Sequence, residues 1–168
     1  STQVSGLSST QIGAIDPTAF GAWDTATLAS ISSTAIAGLT LAQAGTLSSA
    51  DVNALNIKAF SAMSTANLAA IPDTEFAGLG TAQIKALSTA QIVALSDAQV
   101  TALGTDQIAA LSSSQIAAFD DGDIALFTDV EISKISTGAI NALSSDDFLS
   151  LSDAQLAALT SDQTAALN

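Results

Sequence analysis

Large apolar residues recur at every eighth position along the whole chain, in two series. The first runs from Leu7 to Leu167 and is apolar at all 21 positions. The second starts at Val4 and is apolar at 20 of 21 positions, with Thr164 as the exception. No residue is inserted or deleted, so the 168 residues divide into 21 octads. We therefore predict a single repeat array over residues 1–168.

The octad period excludes both a long helix and a strand. Eight residues advance an α-helix by about 80° beyond two full turns, so an apolar stripe with this period would wind around the helix. No single partner would bury such a stripe. A half-buried strand requires apolar residues at every second position, whereas the two series here are spaced three and five residues apart. The pattern predicts a helix that is interrupted once in every octad.

Polar residues indicate where each helix begins. Every multiple of eight except Pro72 holds Ser, Thr, Asp, Asn or Gly, which are the residues preferred at a helix N-cap. If this cap residue is numbered 0 within its octad, Gln or Glu stands at position +3 in 12 of 21 octads, the spacing of a capping box. The apolar residues stand at +4 and +7, and they form a hydrophobic staple around each cap. At Pro72 we expect Asp73 or a local distortion to replace the cap.

These features predict an all-α solenoid of about 20 short helices, one per octad and each about two turns long. A helix of this length is unstable alone, because nucleation is costly and few hydrogen bonds repay it. Neighbouring octads must therefore bury its apolar face, as in other solenoids. Position +6 is small in 19 of 21 octads, which predicts close approach between helices there. The number of octads per solenoid turn remains open at this stage.

The charge of the chain follows the same pattern. There are 16 acidic residues against 3 lysines, giving a formal net charge of -13. Every acidic residue lies at a cap or at one of the three positions after it, where the helix dipole favours negative charge. We expect capping carboxylates to have lowered pKa values and to stabilise the fold less as the pH falls. The loss of self-repulsion at acid pH opposes this effect.

The composition excludes several classes of function. The chain has no His, Cys, Arg or Tyr, so it lacks the usual ligands for zinc, haem and iron–sulfur centres and the usual nucleophile–base pairs. Three lysines and an acidic surface argue against nucleic-acid binding. No apolar run is long enough for a membrane span. Ser133 and Lys134 are sequence neighbours, which a helix points apart. We predict that the chain is not an enzyme and has no catalytic, cofactor-binding or metal-binding residue.

One acidic cluster suggests a cofactor and requires a separate interpretation. Asp120, Asp121 and Asp123 surround Gly122, and carboxylate oxygens are the ligands that calcium prefers. The spacing does not match the twelve-residue calcium loop. We interpret the three as cap, first-turn and capping-box acids, and keep Ca²⁺ as the only cofactor alternative.

The motif L-[S/T]-x-x-Q-[I/V]-x-A is clearest in the stretch LSTAQIVALSDAQVTA, from Leu87 to Ala102. It resembles octapeptide arrays of large proteobacterial surface and secreted proteins, which are often adhesin-like or secreted by type I systems. The resemblance implies an extracellular or cell-surface location and an acidic, cysteine-free repeat segment. The chain begins with Ser1, which we interpret as a processed form or a piece of a longer chain.

The expected function is structural: a rod, a spacer or a filament-forming subunit of a bacterial surface or adhesin. The alternative is a binding module that uses its repeated Ser, Thr and Gln side chains or its acidic edge to engage glycan, ice or protein. Neither end of the array becomes more polar, so we expect apolar stacking surface around Leu7 and Leu167. The expected partners are therefore further copies joined end to end, or flanking repeats of a longer chain.

Overall fold

The computed structural model describes residues 4–167, and over this range the chain is all-helical without any strand. A single 3₁₀ turn at Val4–Gly6 precedes 20 α-helices, which confirms the predicted fold class. Their bounds are α1 Ser9–Gly13, α2 Pro17–Gly21, α3 Thr25–Ala29, α4 Ser33–Ile36, α5 Leu41–Ala44, α6 Ser49–Ala54, α7 Ile57–Ser61, α8 Thr65–Ala69, α9 Asp73–Phe76, α10 Thr81–Ala86, α11 Thr89–Val93, α12 Asp97–Thr101, α13 Thr105–Ala110, α14 Ser113–Ile116, α15 Asp121–Leu126, α16 Asp129–Ile132, α17 Thr137–Ile140, α18 Ser145–Ser150, α19 Asp153–Ala157 and α20 Ser161–Ala166.

Each helix begins one residue after a multiple of eight, as the cap pattern predicts. Ser8 is representative of the caps: its backbone is extended (φ -81°, ψ 165°), and its hydroxyl accepts a hydrogen bond from the backbone N–H of Gln11. The α-helical segments are only 4–6 residues long. A tighter turn then completes the octad, as where the Ile15 N–H donates to the Ile12 carbonyl oxygen at 3.1 Å. The segment and this turn together make up the expected two turns.

The corners between helices need no left-handed residue. None of the residues from 4 to 167 has a positive φ angle, glycines included. The corners are made by extended residues between right-handed segments: the cap residue and, where it is seen at Leu55, the +7 residue before it. Side chains of any type fit this backbone conformation. This explains why caps can be chosen for their hydrogen bonds instead of their backbone freedom.

Pro72 is the exception that the sequence indicated. Pro72 is the N-cap residue of α9 and makes no side-chain capping bond. The capping box expected for this octad is also wrong, because proline has no N–H for Glu75 to accept. The Glu75 carboxylate instead accepts the backbone N–H of Ser49, at the start of α6, at 2.7 Å.

The chain divides into two compact units, Ser1–Ala86 and Leu87–Asn168. Within each unit, a helix packs against the third helix after it: α1 on α4 and α2 on α5 in the first unit, and α11 on α14 and α17 on α20 in the second. One solenoid turn therefore contains three octads, or 24 residues. The sequence pattern left this number open, and the prediction of a single array over residues 1–168 stays a prediction.

The two apolar series form the core. The +4 residues are buried from Ile12 to Ile140, and the +7 residues are buried from Ile31 to Leu151. Because +4 and +7 are one helical turn apart, both point to the same side of their short helix. No helix among the described residues is long and apolar enough to cross a membrane.

The small residues at +6 lie where consecutive turns come closest. Gly38 follows α4, and a Cβ atom placed on it would overlap the carbonyl oxygen of Ser9 in α1. Gly78 likewise leaves room for the Ser49 side chain, which a Cβ would meet at 2.5 Å. The predicted close approach at this position is confirmed at these two sites.

Replacing Gly38 by alanine should therefore destabilise the first unit. Because the obstructing atom is backbone, the turns must separate, and we expect Gly38→Ala to lower the free energy of unfolding by about 1–3 kcal/mol. Gly138→Ala is the matched control, since nothing lies within 4 Å of its added Cβ and alanine favours the helix. Thermal unfolding followed by circular dichroism measures both. Equal melting temperatures for the two variants would contradict the packing described here.

Candidate functional site

The glutamine at position +3 forms hydrogen bonds in two directions. The Gln43 Oε1 atom accepts the backbone N–H of its own cap residue, Thr40, at 2.9 Å. Its Nε2 atom donates to the carbonyl oxygens of Ile12 and Ile15, each at 2.8 Å. The side chain is fully buried. One amide therefore closes the capping box of α5 and also binds the backbone of the previous solenoid turn.

The same arrangement recurs in both units. Gln163 donates to the carbonyl oxygens of Ile132 and Ile135 at 2.8 Å, the same sequence separations of 31 and 28 residues as for Gln43. Other +3 glutamines bind carbonyl groups 28 or 30 residues earlier. We call this set the glutamine ladder: Gln43, Gln83, Gln115, Gln155 and Gln163.

The ladder supplies hydrogen-bond partners for buried side-chain amides, whose burial would otherwise destabilise the fold. A buried amide destabilises a protein unless its hydrogen bonds are made, and the last carbonyl groups of a helix have no partner within that helix. Here the carbonyl groups satisfy the amide. In return the Ile12 carbonyl oxygen, which already accepts the Ile15 N–H, gains a second donor, and the Ile15 carbonyl oxygen gains a donor from the neighbouring turn. Among the described residues, no buried side-chain nitrogen or oxygen lacks a hydrogen-bond partner. The core therefore contains a fully used polar network between two apolar columns.

Asparagines extend the connections between turns. Asn67, at +3, donates to the Leu39 carbonyl oxygen at 2.8 Å, and the cap residue Asn56 donates to that of Ile31 at 2.6 Å. Asn53 replaces the +3 half of a capping box for α10, because its Oδ1 atom accepts the N–H of Gly80 at 2.7 Å, the bond that a +3 glutamine makes in other octads. These links between turns were not predicted from the sequence.

Aspartates at +3 close capping boxes that the sequence assigned only to Gln and Glu. Asp51, Asp123 and Asp147 each accept the N–H of their own cap residue. An ionised carboxylate has no donor, so it cannot make the second half of the glutamine interaction. The capping box expected at Gln3 lies outside the described residues.

The acidic cluster follows the capping interpretation. Asp120 Oδ1 accepts the backbone N–H of Asp123 at 2.8 Å, so these two carboxylates serve α15 as cap and +3 residue. Among residues 4–167, no group of three His, Cys, Asp or Glu side chains is arranged to hold a metal ion. The Ser133 hydroxyl donates to the Val130 carbonyl oxygen at 2.6 Å, and Lys134 is exposed.

The expected lowering of carboxylate pKa values holds at one cap and fails at another. Hydrogen bonds from the Thr27 side chain and backbone lower the pKa of Asp24. At Asp123 the expectation is wrong: burial, reinforced by the negative charge of Asp120, raises its pKa. The helix dipole acts on both, but Asp123 loses hydration between the turns and Asp24 keeps it.

The fold and the ladder define the class of the protein: it is an α-helical repeat protein with solenoid packing of short helices. Comparison with known families agrees, since the chain is similar to the ALTTAQ repeat family over residues 76–113 and 94–121, less than half of its length. Residues 86–91 within that range read ALSTAQ, and their final glutamine, Gln91, stands at +3. Neither the curated proteins nor the solved structures gave a match to this chain.

The ladder predicts that the same substitution, glutamine to glutamate at +3, changes the free energy of unfolding by very different amounts at Gln43 and Gln11. Gln43→Glu keeps an acceptor for Thr40 but removes both bonds to the previous turn and brings a carboxylate against two carbonyl oxygens. We expect it to lower the free energy of unfolding by about 3–5 kcal/mol. Gln11→Glu is the control, because Gln11 closes its own capping box and is exposed; its effect should stay within about 0.5 kcal/mol. Denaturant unfolding measures both, and equal effects would refute the ladder's role.

The opposite pKa shifts of Asp24 and Asp123 predict that their contributions to the stability of the fold change with pH in opposite directions. Because the folded pKa of Asp123 is raised, its charge destabilises the fold above that pKa and the penalty disappears as the pH falls below the unfolded value. Asp123→Asn should therefore raise the melting temperature at pH 7, and the gain should vanish towards pH 3. Asp24, with its lowered pKa, stabilises the fold above the unfolded value and loses this as the pH falls through the folded one. Asp24→Asn should thus lower the melting temperature at pH 7 only. If both variants changed the melting temperature at pH 7 in the same direction, the opposite pKa shifts of the two carboxylates would be contradicted.

Proposed function

We propose that this chain is a structural segment: a rod, a spacer or a filament-forming subunit of a bacterial surface or adhesin, located outside the cell. The observation that carries the proposal is the glutamine ladder. Buried amides such as those of Gln43 and Gln163 use their polar atoms to join one turn to the previous turn. The hydrogen bonds of this network hold consecutive turns together in a regular stack, which is what an extended structural segment needs.

The chemistry of the surface supports the same proposal. The cap hydroxyls accept backbone N–H groups, as in Ser8, Ser88 and Ser152, so their oxygens are used by the fold. The acidic residues repeat the same first-turn positions around the array. A surface of this kind is hydrated and repels its neighbours sideways, which suits a segment that extends between other parts of an assembly.

The alternative is a binding module. Serine and threonine side chains stand exposed in successive octads within each unit, as at Thr25 and Ser33 in the first and Thr137 and Ser145 in the second, and present repeated hydroxyl groups. A glycan or an ice surface offers matching hydrogen-bonding groups. The binding module requires a ligand, whereas the structural role requires only that solenoid turns stack on one another.

Two measurements on the purified protein separate the alternatives. Negative-stain electron microscopy from micromolar to millimolar concentration should show fibres at the high end if the role is structural. A glycan array and an ice-shaping assay on the monomer should then be blank, because no ligand is needed. Glycan binding or shaped ice crystals without any fibre would overturn the structural proposal in favour of the binding module.

A further inference from the structure

The aspartate at +3 of α15 occupies a ladder position whose backbone acceptor is unused. Ladder glutamines bind the carbonyl oxygen 28 residues earlier, as Gln115 binds that of Leu87 at 2.9 Å. For Asp123 the equivalent group is the carbonyl of Leu95, directly before the cap residue of α12. α15 packs on α12 within the second unit. Among residues 4–167, no group donates a hydrogen bond to the Leu95 carbonyl oxygen.

An asparagine elsewhere in the chain shows that a side chain as short as aspartate reaches this acceptor. The Nδ2 atom of Asn67, also at +3, donates to the Leu39 carbonyl oxygen at 2.8 Å, across the same 28 residues. Aspartic acid and asparagine have the same number of side-chain atoms apart from hydrogen. The neutral acid carries an O–H donor where asparagine carries its NH₂ group, and the ionised form carries none. Protonation therefore gives Asp123 the donor that its position lacks.

One oxygen of the Asp123 carboxylate is available for this bond. Its Oδ2 atom accepts the backbone N–H of Asp120 at 3.4 Å, which closes the capping box of α15. Its Oδ1 atom makes no hydrogen bond to any of the residues that the structure describes. A proton on Oδ1 leaves the capping box in place and supplies a donor for the preceding turn.

The charges on the helices packed around Asp123 are all negative. α15 packs on α12 and α18, and none of the chain's lysines lies in the octads of these three helices. The acidic residues there are Asp97 on α12, Asp120 and Asp121 at the start of α15, and Asp146 and Asp147 on α18. Burial, reinforced by the charges of Asp120 and Asp97, raises the pKa of Asp123. The neutral form is thereby favoured where the donor is missing.

We propose that protonated Asp123 donates a hydrogen bond to the Leu95 carbonyl oxygen, so that acid extends the ladder between α12 and α15 and tightens the second unit. This pH-sensitive contact goes beyond the proposed function, because a rod, a spacer and a binding module would all contain it. The stabilisation is fully present below the unfolded pKa of aspartate, about 3.9, and is lost as the pH rises through the raised folded pKa.

The same pair of groups recurs at two further aspartates. Asp147 is buried at +3 of α18, which packs on α15, and Phe119 lies 28 residues before it. Asp51 is related to Trp23 in the same way in the first unit, where α6 packs on α3. Among the described residues, neither the Phe119 nor the Trp23 carbonyl oxygen accepts a hydrogen bond. The arrangement is therefore a repeated feature of these turns.

Carbon-13 NMR of the folded protein tests the bond at both of its ends. The pH is varied in the presence of EDTA, so that no divalent cation bridges the oxygens. We expect the Asp123 carboxyl resonance to titrate above the usual range of aspartate. The Leu95 carbonyl resonance should move downfield with the same midpoint as the pH falls, because accepting a hydrogen bond deshields the carbonyl carbon. Relief of charge repulsion alone would leave the Leu95 resonance in place.

Two substitutions at Asp123 fix the limits of this shift. In Asp123→Asn the Leu95 resonance should stay near its low-pH position at every pH, because the amide donates permanently. In Asp123→Ala it should stay near its high-pH position, because no donor is present. Circular dichroism verifies that both variants fold, and the asparagine variant alone suffices if the alanine variant does not.

A substitution at the cap separates the bond from the charge beside it. Asp120→Ser keeps a capping side chain, as at Ser144, and removes one negative charge next to Asp123. The resonances of Asp123 and Leu95 should then titrate together with a midpoint at lower pH.

Three results would overturn the proposed bond. They are a Leu95 resonance that does not follow Asp123, a Leu95 resonance that still titrates in Asp123→Ala, and an Asp123→Asn variant in which it keeps its high-pH position. None of these results bears on the structural function, which fails separately in the glycan and ice assays.

Discussion

The structure depends on a glutamine side chain that makes hydrogen bonds to two consecutive solenoid turns. Its oxygen accepts a backbone N–H of its own turn, and its nitrogen donates to backbone carbonyl groups of the preceding turn. Glutamine at +3 is long enough to close the capping box of its own helix and to reach the backbone of the preceding solenoid turn. The start of a helix and the stacking of turns are therefore coupled through one buried amide. Glutamate would serve the first purpose only, because it has no N–H to donate to the preceding turn, and an apolar residue would serve neither.

This coupling compensates for the shortness of the helices. Segments of 4–6 residues cannot hold themselves together by backbone hydrogen bonds alone. Each helix gains stability from a cap at its start, a tight turn at its end and two apolar residues that contact the third helix before and after it. None of these contributions is large, but all of them repeat every eight residues. Stability in such an array is a sum of nearest-neighbour terms, as expected for a solenoid.

Much of the local structure was predictable because it is encoded within one octad. The caps, the helix starts and the two core columns follow from residues that are at most four positions apart. The number of octads per turn was not predictable, because it depends on the small rotation at each corner and on packing between residues 24 or more positions apart. The ladder left one signal in the sequence. Position +3 holds Gln ten times and Glu twice, a preference that capping alone does not explain.

The carboxylates show where the same local argument fails. Asp24 and Asp123 both lie in a first helical turn, and the helix dipole alone predicts a lowered pKa for each. Whether the neighbouring turn covers the side chain decides the sign of the shift, and this coverage is a property of the solenoid and not of the octad. The same distinction separates Gln11, whose side chain is exposed, from the buried Gln43.

The most direct test of this account is the hydrogen exchange of glutamine side-chain amides, measured by NMR in the folded monomer. If the ladder joins consecutive turns, the Nε2 protons of Gln43 and Gln163 should exchange only when the array opens, so their exchange should be slowed as strongly as that of core backbone amides. The Nε2 protons of Gln11 should exchange at the rate of a free amide. Fast exchange at all three residues would show that the glutamines only cap their own helices and that the turns are joined by apolar contact alone.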